Sequence, residues 1–437
     1  MRCIVVFFGM VVSVLITPPC FAGVSQVPAD ANSLVTLRDY LAYAERNNAA
    51  LKSIFQQFRA AAEAVPQAGA LPDPKVTYGY FLEEVETRVG PQRQKFGIMQ
   101  TFPWFGELEA QTDAASAAAK AASKRYEAER LKLFYQVKNV FYEYVYLARA
   151  VEITRQNLEL LKHFEEVART KYMAAAGSHP DVIRAQVELA TLEDNLRSVE
   201  ELRQPIVDNL NAILNRDRNL PLPWPTREPF RQLGLDRHRV IVMLQVNNPE
   251  LQAMDFEITA ARSRIDLAKK KFYPDISLGV DWIQTDDARA GGTDDSGKDP
   301  IVAMLSINLP IWGDSYKAAH RQAKARMRKA STDKVQREND ITAQASKVLY
   351  KFEDSNRKVT LYLDTLIPKA KEMLQASETA YQAGTLDFLS LIDAQQTLLN
   401  FELLYERSVT NNLQSLAQLD MLVGGRLEEA EKKTINR

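Results

Sequence analysis

Four histidines, two cysteines and an ample supply of carboxylates are the groups in this 437-residue chain that could do chemistry. His163, His179, His238 and His320 are scattered, with no metal-ligand spacing among them. The cysteines, Cys3 and Cys20, both lie near the amino terminus. The 56 Asp and Glu are balanced by 55 Lys and Arg. Most stand beside those cations on helical faces, where solvation is their use. No G-x-S-x-G elbow, phosphate loop or H-E-x-x-H occurs, and Gly291-Gly292 reads as a loop tip. No metal site, cofactor or catalytic residue is expected, and an enzyme is the remotest reading. A net charge of −1 offers no field for nucleic acid. The informative content is architectural.

The amino terminus reads as a secretory leader, residues 1–22. Arg2 precedes an apolar run from Ile4 to Ile16, Pro18-Pro19 ends it, and cleavage is expected after Ala22. The run is well short of the roughly 20 residues a membrane-spanning helix needs. The alternative leader would be lipidated on Cys20, which Pro18-Pro19 fit poorly. Cleavage after Ala22 leaves a mature chain without cysteine, so stability must come from packing, length or oligomerisation. No other segment has the apolar length of a spanning helix, which excludes an inner-membrane pump. It does not exclude a β-barrel, whose strands alternate.

The chain repeats itself. Asn47-Asn48 with Leu51 returns as Asn247-Asn248 with Leu251, and P-K-V-T-Y-G at 74–79 returns as P-D-I-S-L-G at 274–279. P-W-F-G at 103–106 returns as P-I-W-G at 310–313, an offset of 207 (313 − 106). Tyr172 and Gln186 return as Tyr381 and Gln395, an offset of 209 (381 − 172). Gly177 and Gly384 stand at 207 (384 − 177), so the two turns are expected to differ by two residues. A unit of this length exceeds any solenoid repeat and points to two pseudo-symmetric halves.

Each half has the same order of elements. The first repeat, 23–215, opens with an amphipathic helix over 34–65, ended by Pro66, Gly69, Pro72 and Pro74. Two alternating strands follow, at 74–83 and 94–103, and then a long helical hairpin over 107–215. The stripe Phe134, Val137, Phe141, Tyr144, Ala148 and Val151, with Leu158 and Leu161 beyond, predicts a coiled-coil seam. A linker at 216–236 carries L-P-L-P-W-P-T-R-E-P, which is stiff and extended. The second repeat, 237–425, has strands at 275–285 and 300–309 and a hairpin over 314–423, kinked by Pro368. Its return arm is expected from Asp387, as that of the first is from Asp181. A polar tail occupies 426–437. Tyr78, Val280, Leu305 and Ile307 occupy the apolar phase of the strands. They would face lipid in a barrel or a buried core in a small soluble sheet; both readings fit the pattern alone.

Leader, ordered duplication, proline-rich link and the P-W-F-G and P-I-W-G corners together resemble the TolC-like outer-membrane efflux family. The resemblance runs from about residue 34 to 425. L-P-D-P before the first strand and Q-T-F-P-W-F-G-E after the second are similar to the heavy-metal and cation branch. It implies a mainly α fold with a small β part. A homotrimer would form a long coiled-coil α-helical barrel and a transmembrane β-barrel of twelve strands, four per protomer. It also implies a passive exit duct in the outer membrane, its helices in the periplasm. The duct would serve a tripartite pump, with a periplasmic adaptor and an inner-membrane transporter delivering metal cations or small organic toxic compounds. The loops 83–94 and 286–300 would face the cell exterior. Carried over by position, Tyr381 matches a latching tyrosine, Asp181 its acceptor and Asp393 the inner of two constricting aspartate rings. Ser390, Leu386 and Pro180 depart from the expected aspartate, arginine and threonine. A membrane-fusion adaptor has one hairpin between lipoyl-like halves, and a coiled-coil scaffold has no use for aromatic strands. These are the competing classes.

Overall fold

The computed structural model describes residues 34–227, 230 and 234–427. The expected leader, 1–22, and nearly all of the expected polar tail lie outside the described residues. From Leu34 onward the two repeats build one compact unit rather than two bodies.

The opening of each repeat is two helices, not one. In the first, α1 (Leu37–Asn47) gives way at Asn48 to α2 (Ala49–Gly69), and in the second α6 (Arg237–Asn247) gives way at Asn248 to α7 (Pro249–Lys270). The duplicated asparagine is the cause. Asn48 Oδ1 accepts the Leu51 N–H at 2.9 Å, and Asn248 Oδ1 accepts that of Leu251 at 3.1 Å, so each caps the second helix. The amide of each also donates outward at 2.8 Å, Asn48 to the Ile213 carbonyl and Asn248 to that of Leu422. The break is thereby tied to the far end of its own hairpin. Pro66 does not end α2, which continues to Gly69. Its ring falls in the last turn, where the bond it cannot donate to the Ala62 carbonyl is lost without ending the helix.

Strands β1 (Lys75–Thr87) and β2 (Gly90–Phe102) form a hairpin. The polar stretch expected as a loop at 83–94 is therefore mostly strand, with only Arg88-Val89 turning. β3 (Ile276–Thr285) and β4 (Ile301–Ile307) complete an antiparallel meander in the order β1-β2-β3-β4. β4 is shorter than the expected 300–309, yet the backbone bonds Ile283 N–H to Pro300 O and Asn308 N–H to Asp275 O flank the ladder. Among the described residues, no strand lies beside the outer edges of β1 and β4.

The long helices follow. α3 (Glu107–Met173) runs 67 residues, about 100 Å at helical rise. Its return arm, expected continuous to Leu214, breaks at Leu202 into α4 (His179–Glu201) and α5 (Arg203–Leu214). Pro205 cannot donate to the carbonyl four residues earlier, which explains the break. In the second hairpin, α8 (Gly313–Leu361) passes through a π-helical turn, Tyr362–Leu366, into α9 (Ile367–Gln382), and α10 (Phe388–Val423) returns. The π turn lies directly before Pro368 and widens the helix where the proline ring would strike a carbonyl. Val137, Phe141, Tyr144, Val151, Leu158 and Leu161 of the expected seam are buried; Phe134 and Ala148 are half-buried at its margin.

Duplication also shapes the core. Tyr40, Phe141, Tyr144, Leu210 and Leu214 pack in the first half, and Leu244, Phe352, Leu419 and Leu422 pack in the second. The linker belongs to the first of these. Leu222 is buried, its carbonyl accepts from Tyr144 Oη and from Arg203, and Arg203 lies 4.3 Å from the Trp224 ring centroid. A third cluster, around Phe164, Ala185, Tyr381, Phe388 and Leu391, joins the two hairpins near their tips.

Candidate functional site

The two hairpin tips are the same backbone motif. In the first, the Ala175 N–H bonds Tyr172 O at 3.0 Å and the Ala176 N–H bonds Lys171 O at 2.8 Å. In the second, the Gly384 N–H bonds Tyr381 O at 3.0 Å and the Thr385 N–H bonds Ala380 O at 3.0 Å. The left-handed residue is Ala175 (φ 58°) in one and Gly384 (φ 80°) in the other. The turns therefore do not differ by two residues. Gly384 corresponds to Ala175 at the same offset of 209 (384 − 175) as the tyrosines, and Gly177 holds no left-handed position.

Side chains make the tips different. Tyr381 is 3% exposed, its ring edge-on to Phe388 with centroids 5.4 Å apart. Its hydroxyl is buried without a hydrogen-bond partner. The latch expected from Tyr381 to Asp181 is therefore not made within the protomer. Burial first, and the negative charge of Asp181 second, push the phenol pKa up, so the hydroxyl stays protonated. Asp181 is half-buried in the first turn of α4. Asp393 is exposed on α10, between buried Ile392 and Ala394. Ser390 donates its N–H to Asp387 Oδ1 at 2.9 Å, so it serves the cap of α10. Pro180 stands in the first turn of α4, where a missing N–H costs nothing. Leu386 is half-buried in the connection before α10.

Sequence reasoning missed Lys171. Its ammonium, from the last turn of α3, donates to the carbonyls of Tyr381 and Gln382 and lies 4.4 Å from the Tyr381 ring centroid. A lysine in a last turn suits its own helix C-terminus, and nothing local shows that it serves another helix.

The sheet sorts its residues cleanly by face. Registered rows run Tyr78–Phe96–Trp282–Ile301 and Val76–Ile98–Val280–Ala303, and the ladder continues through Leu278–Leu305 and Ile276–Ile307. Tyr78, Val280, Leu305 and Ile307 thus share one face, at 60%, 47%, 65% and 47% exposure. Among the described residues nothing covers this face. The aromatic row is continuous, with centroids 5.0 Å apart for Tyr78–Phe96 and 5.7 Å for Phe96–Trp282. The opposite face carries Thr77, Gly97 and Asp281 in one row. Asp281 is buried and paired with Lys95, another contact the alternation pattern alone did not predict. A Cβ at Gly97 would collide with Asp281 Oδ1 and Thr77 Oγ1, so glycine makes room for the acid.

At the end of the sheet away from the helices, both hairpin connections are tied together. Arg93 pairs with Glu84 and with Asp286 (2.5 Å), while Arg289 pairs with Glu84 and with Glu86 (3.4 Å). At the other end, Phe105, Leu309, Ile311 and Trp312 stand exposed at the corners leading into α3 and α8. Among the described residues no group of His, Cys, Asp or Glu could hold a metal ion, and no helix is long and apolar enough to cross a membrane.

This architecture is that of a known class of channel. The Outer membrane efflux protein family matches residues 41–216 and 240–425, and the chain belongs to it. It is accordingly an outer-membrane efflux protein, with its helical part in the periplasm. Its relatives include the cobalt-zinc-cadmium resistance protein CzcC of Cupriavidus metallidurans, 21% identical over 418 residues, 92% of this chain and 94% of that one. An uncharacterized protein of Haemophilus influenzae is 24% identical over 217 residues, 49% of this chain and 47% of that one. Among solved structures, the outer membrane protein VceC of Vibrio cholerae superposes with a TM-score of 0.72 at 18% identity, covering 89% of this chain and 96% of that one.

Proposed function

We propose that three copies of the chain close into a passive exit duct, a twelve-stranded barrel in the outer membrane continued by a helical tunnel. The observation that carries this is the sheet: four strands, two open edges and one continuous apolar face. Open strand edges are not tolerated in hydrocarbon, so a four-stranded sheet in lipid must find partners. Three copies give an even, closed count. Tyr78, Val280, Leu305 and Ile307 then face lipid, and Asp281 and Lys95 line the interior. The exposed corners at Phe105 and Trp312 lie where the periplasmic interface would be, which suits the amphipathic indole of Trp312. The ion-paired connections around Arg88-Val89 and 286–300 face outside the cell.

The duct supplies no energy and no reaction. A periplasmic adaptor and an inner-membrane transporter deliver its cargo, metal cations or small organic toxic compounds. The name of the full-length relative CzcC supports the cation reading. At the periplasmic end, Asp393 from three copies forms a carboxylate ring favouring cations. Tyr381 holds the closed state by packing, with Asp181 beside it, rather than through its hydroxyl within one protomer. The test is fractionation with seminative electrophoresis. A heat-modifiable trimer in the outer membrane is expected, with spin labels at Tyr78 and Leu305 reporting lipid. A soluble periplasmic monomer, or labels that report water, would remove the barrel.

A further inference from the structure

We infer that Lys171 is a gating residue, an electrostatic strut that holds the tip of the first hairpin against the second. The inference rests on the channel reading above and names a residue that the resemblance did not supply. Three observations carry it. The ammonium reaches the carbonyls of Tyr381 and Gln382, which are the last residues of α9 and the negative end of its dipole. It also faces the Tyr381 ring at 4.4 Å, a cation–π contact on a half-buried site. Finally, the tyrosine hydroxyl beside it has no partner, so the expected tyrosine–aspartate bond is not what joins the hairpins within the protomer.

Position makes this contact specific to one hairpin. Lys171 corresponds to Ala380 in the second tip (380 − 171 = 209), and alanine offers nothing in return. The strut therefore runs one way, from α3 to the end of α9. Further along the same seam, Gln395 donates to Asn157 Oδ1 at 3.1 Å and Gln396 to Glu188 at 2.9 Å. Those bonds lie deeper in the hairpins, whereas Lys171 acts where the coils must separate for the entrance to widen. Lysine suits the task. A single ammonium on a flexible stem can leave the carbonyls for water without a large rearrangement.

The experiment compares Lys171→Met, which keeps the stem and removes the charge, with Lys171→Arg, which keeps both. Single-channel conductance of the full-length protein in planar bilayers gives the open-to-closed ratio. Spin labels on cysteines introduced at the exposed positions Met173 and Ala383 give the tip separation in the purified protein. The methionine variant should raise the open-to-closed ratio by about tenfold, as expected for losing a hydrogen bond to a charged group. It should also lengthen the label separation, while the arginine variant stays close to the parent. Parent-like behaviour of Lys171→Met in both measurements would overturn the strut, as would arginine and methionine variants that behave alike. The label distance reports on Lys171 even where the parent conducts nothing, so failure of the channel reading is told apart from failure of the strut.

Discussion

The two hairpin tips share a backbone and differ in what they bury. Both close with the same pair of N–H to carbonyl bonds around a left-handed residue, 209 positions apart. Yet Tyr172 is 46% exposed, its ring 5.1 Å from His179, while Tyr381 is 3% exposed beneath Lys171 and against Phe388. Among the described residues, Lys171 of the first tip lies over Tyr381 of the second, whereas Tyr172 stays open to solvent. A duplicated motif thus retains its hydrogen-bond geometry, which is local. Its burial can diverge, because burial depends on what each copy packs against in the rest of the fold.

The difference is tested most severely by truncating the paired tyrosines. Tyr381→Ala should cost about 3 kcal/mol through the cavity it leaves. Tyr172→Ala should stay within about 0.5 kcal/mol. Thermal unfolding in detergent measures both, and similar losses would show that the tips are equally buried.

The left-handed residues give a pair of opposite sign. Gly384→Ala puts a side chain at φ 80° with open space around it, so only backbone strain opposes it, about 1 kcal/mol. Ala175→Gly relieves that strain, offset in part by the greater freedom of glycine in the unfolded chain, for a gain below about 1 kcal/mol. Unfolding midpoints that move in the same direction would break the equivalence of the two positions.

Tyr381→Phe sharpens the comparison further. The hydroxyl is buried with no partner among the described residues, so its removal should leave stability unchanged or raise it by about 1 kcal/mol. A clear loss in the assembled protein would instead assign the hydroxyl a partner, Asp181 or a group of another copy.

The smallest effect concerns the caps that follow each turn. Asp387 accepts the Ser390 N–H, whereas Ser178, at the same place in the first tip, makes no side-chain cap bond. Asp387→Ala should therefore loosen the start of α10, and Ser178→Ala should leave α4 unchanged, as read by amide exchange in the first turns. Hydrogen bonds from the Ser390 side chain and then its backbone hold the Asp387 carboxyl below the ordinary carboxylate value. A lowered folded value means the cap is fully present above the ordinary range and is lost as pH falls through the lowered one. Protection at the start of α10 should fade with acid, with no matching loss at α4.

How far the chain could be read without coordinates varies by element. The helical stripe from Val137 to Leu161, the strand alternation and the offset of 209 are periodic or repeated, and period reports directly on face. Strand ends were less legible, because E-T-R-V-G-P-Q-R-Q looks like a loop and becomes strand through its ion pairs with Asp286 and Arg289. The breaks at Asn48 and Asn248 were visible as a repeated pair of letters. Their meaning lay in contacts with Ile213 and Leu422, far along the chain.

The sequence by itself determined that there are two like halves, that each carries one strand pair and one long hairpin, and that Tyr78, Val280, Leu305 and Ile307 share a face. Those properties follow from short-range periodicity and from side-chain patterns repeated at a constant offset. Tertiary structure alone decided that Tyr381 is buried and Tyr172 is not, that the Tyr381 hydroxyl finds no acceptor in the protomer, and that Lys171 reaches across to α9. The reason is physical: each of these depends on the distance between residues about 200 positions apart, and local sequence carries no record of which of two similar tips packs over the other.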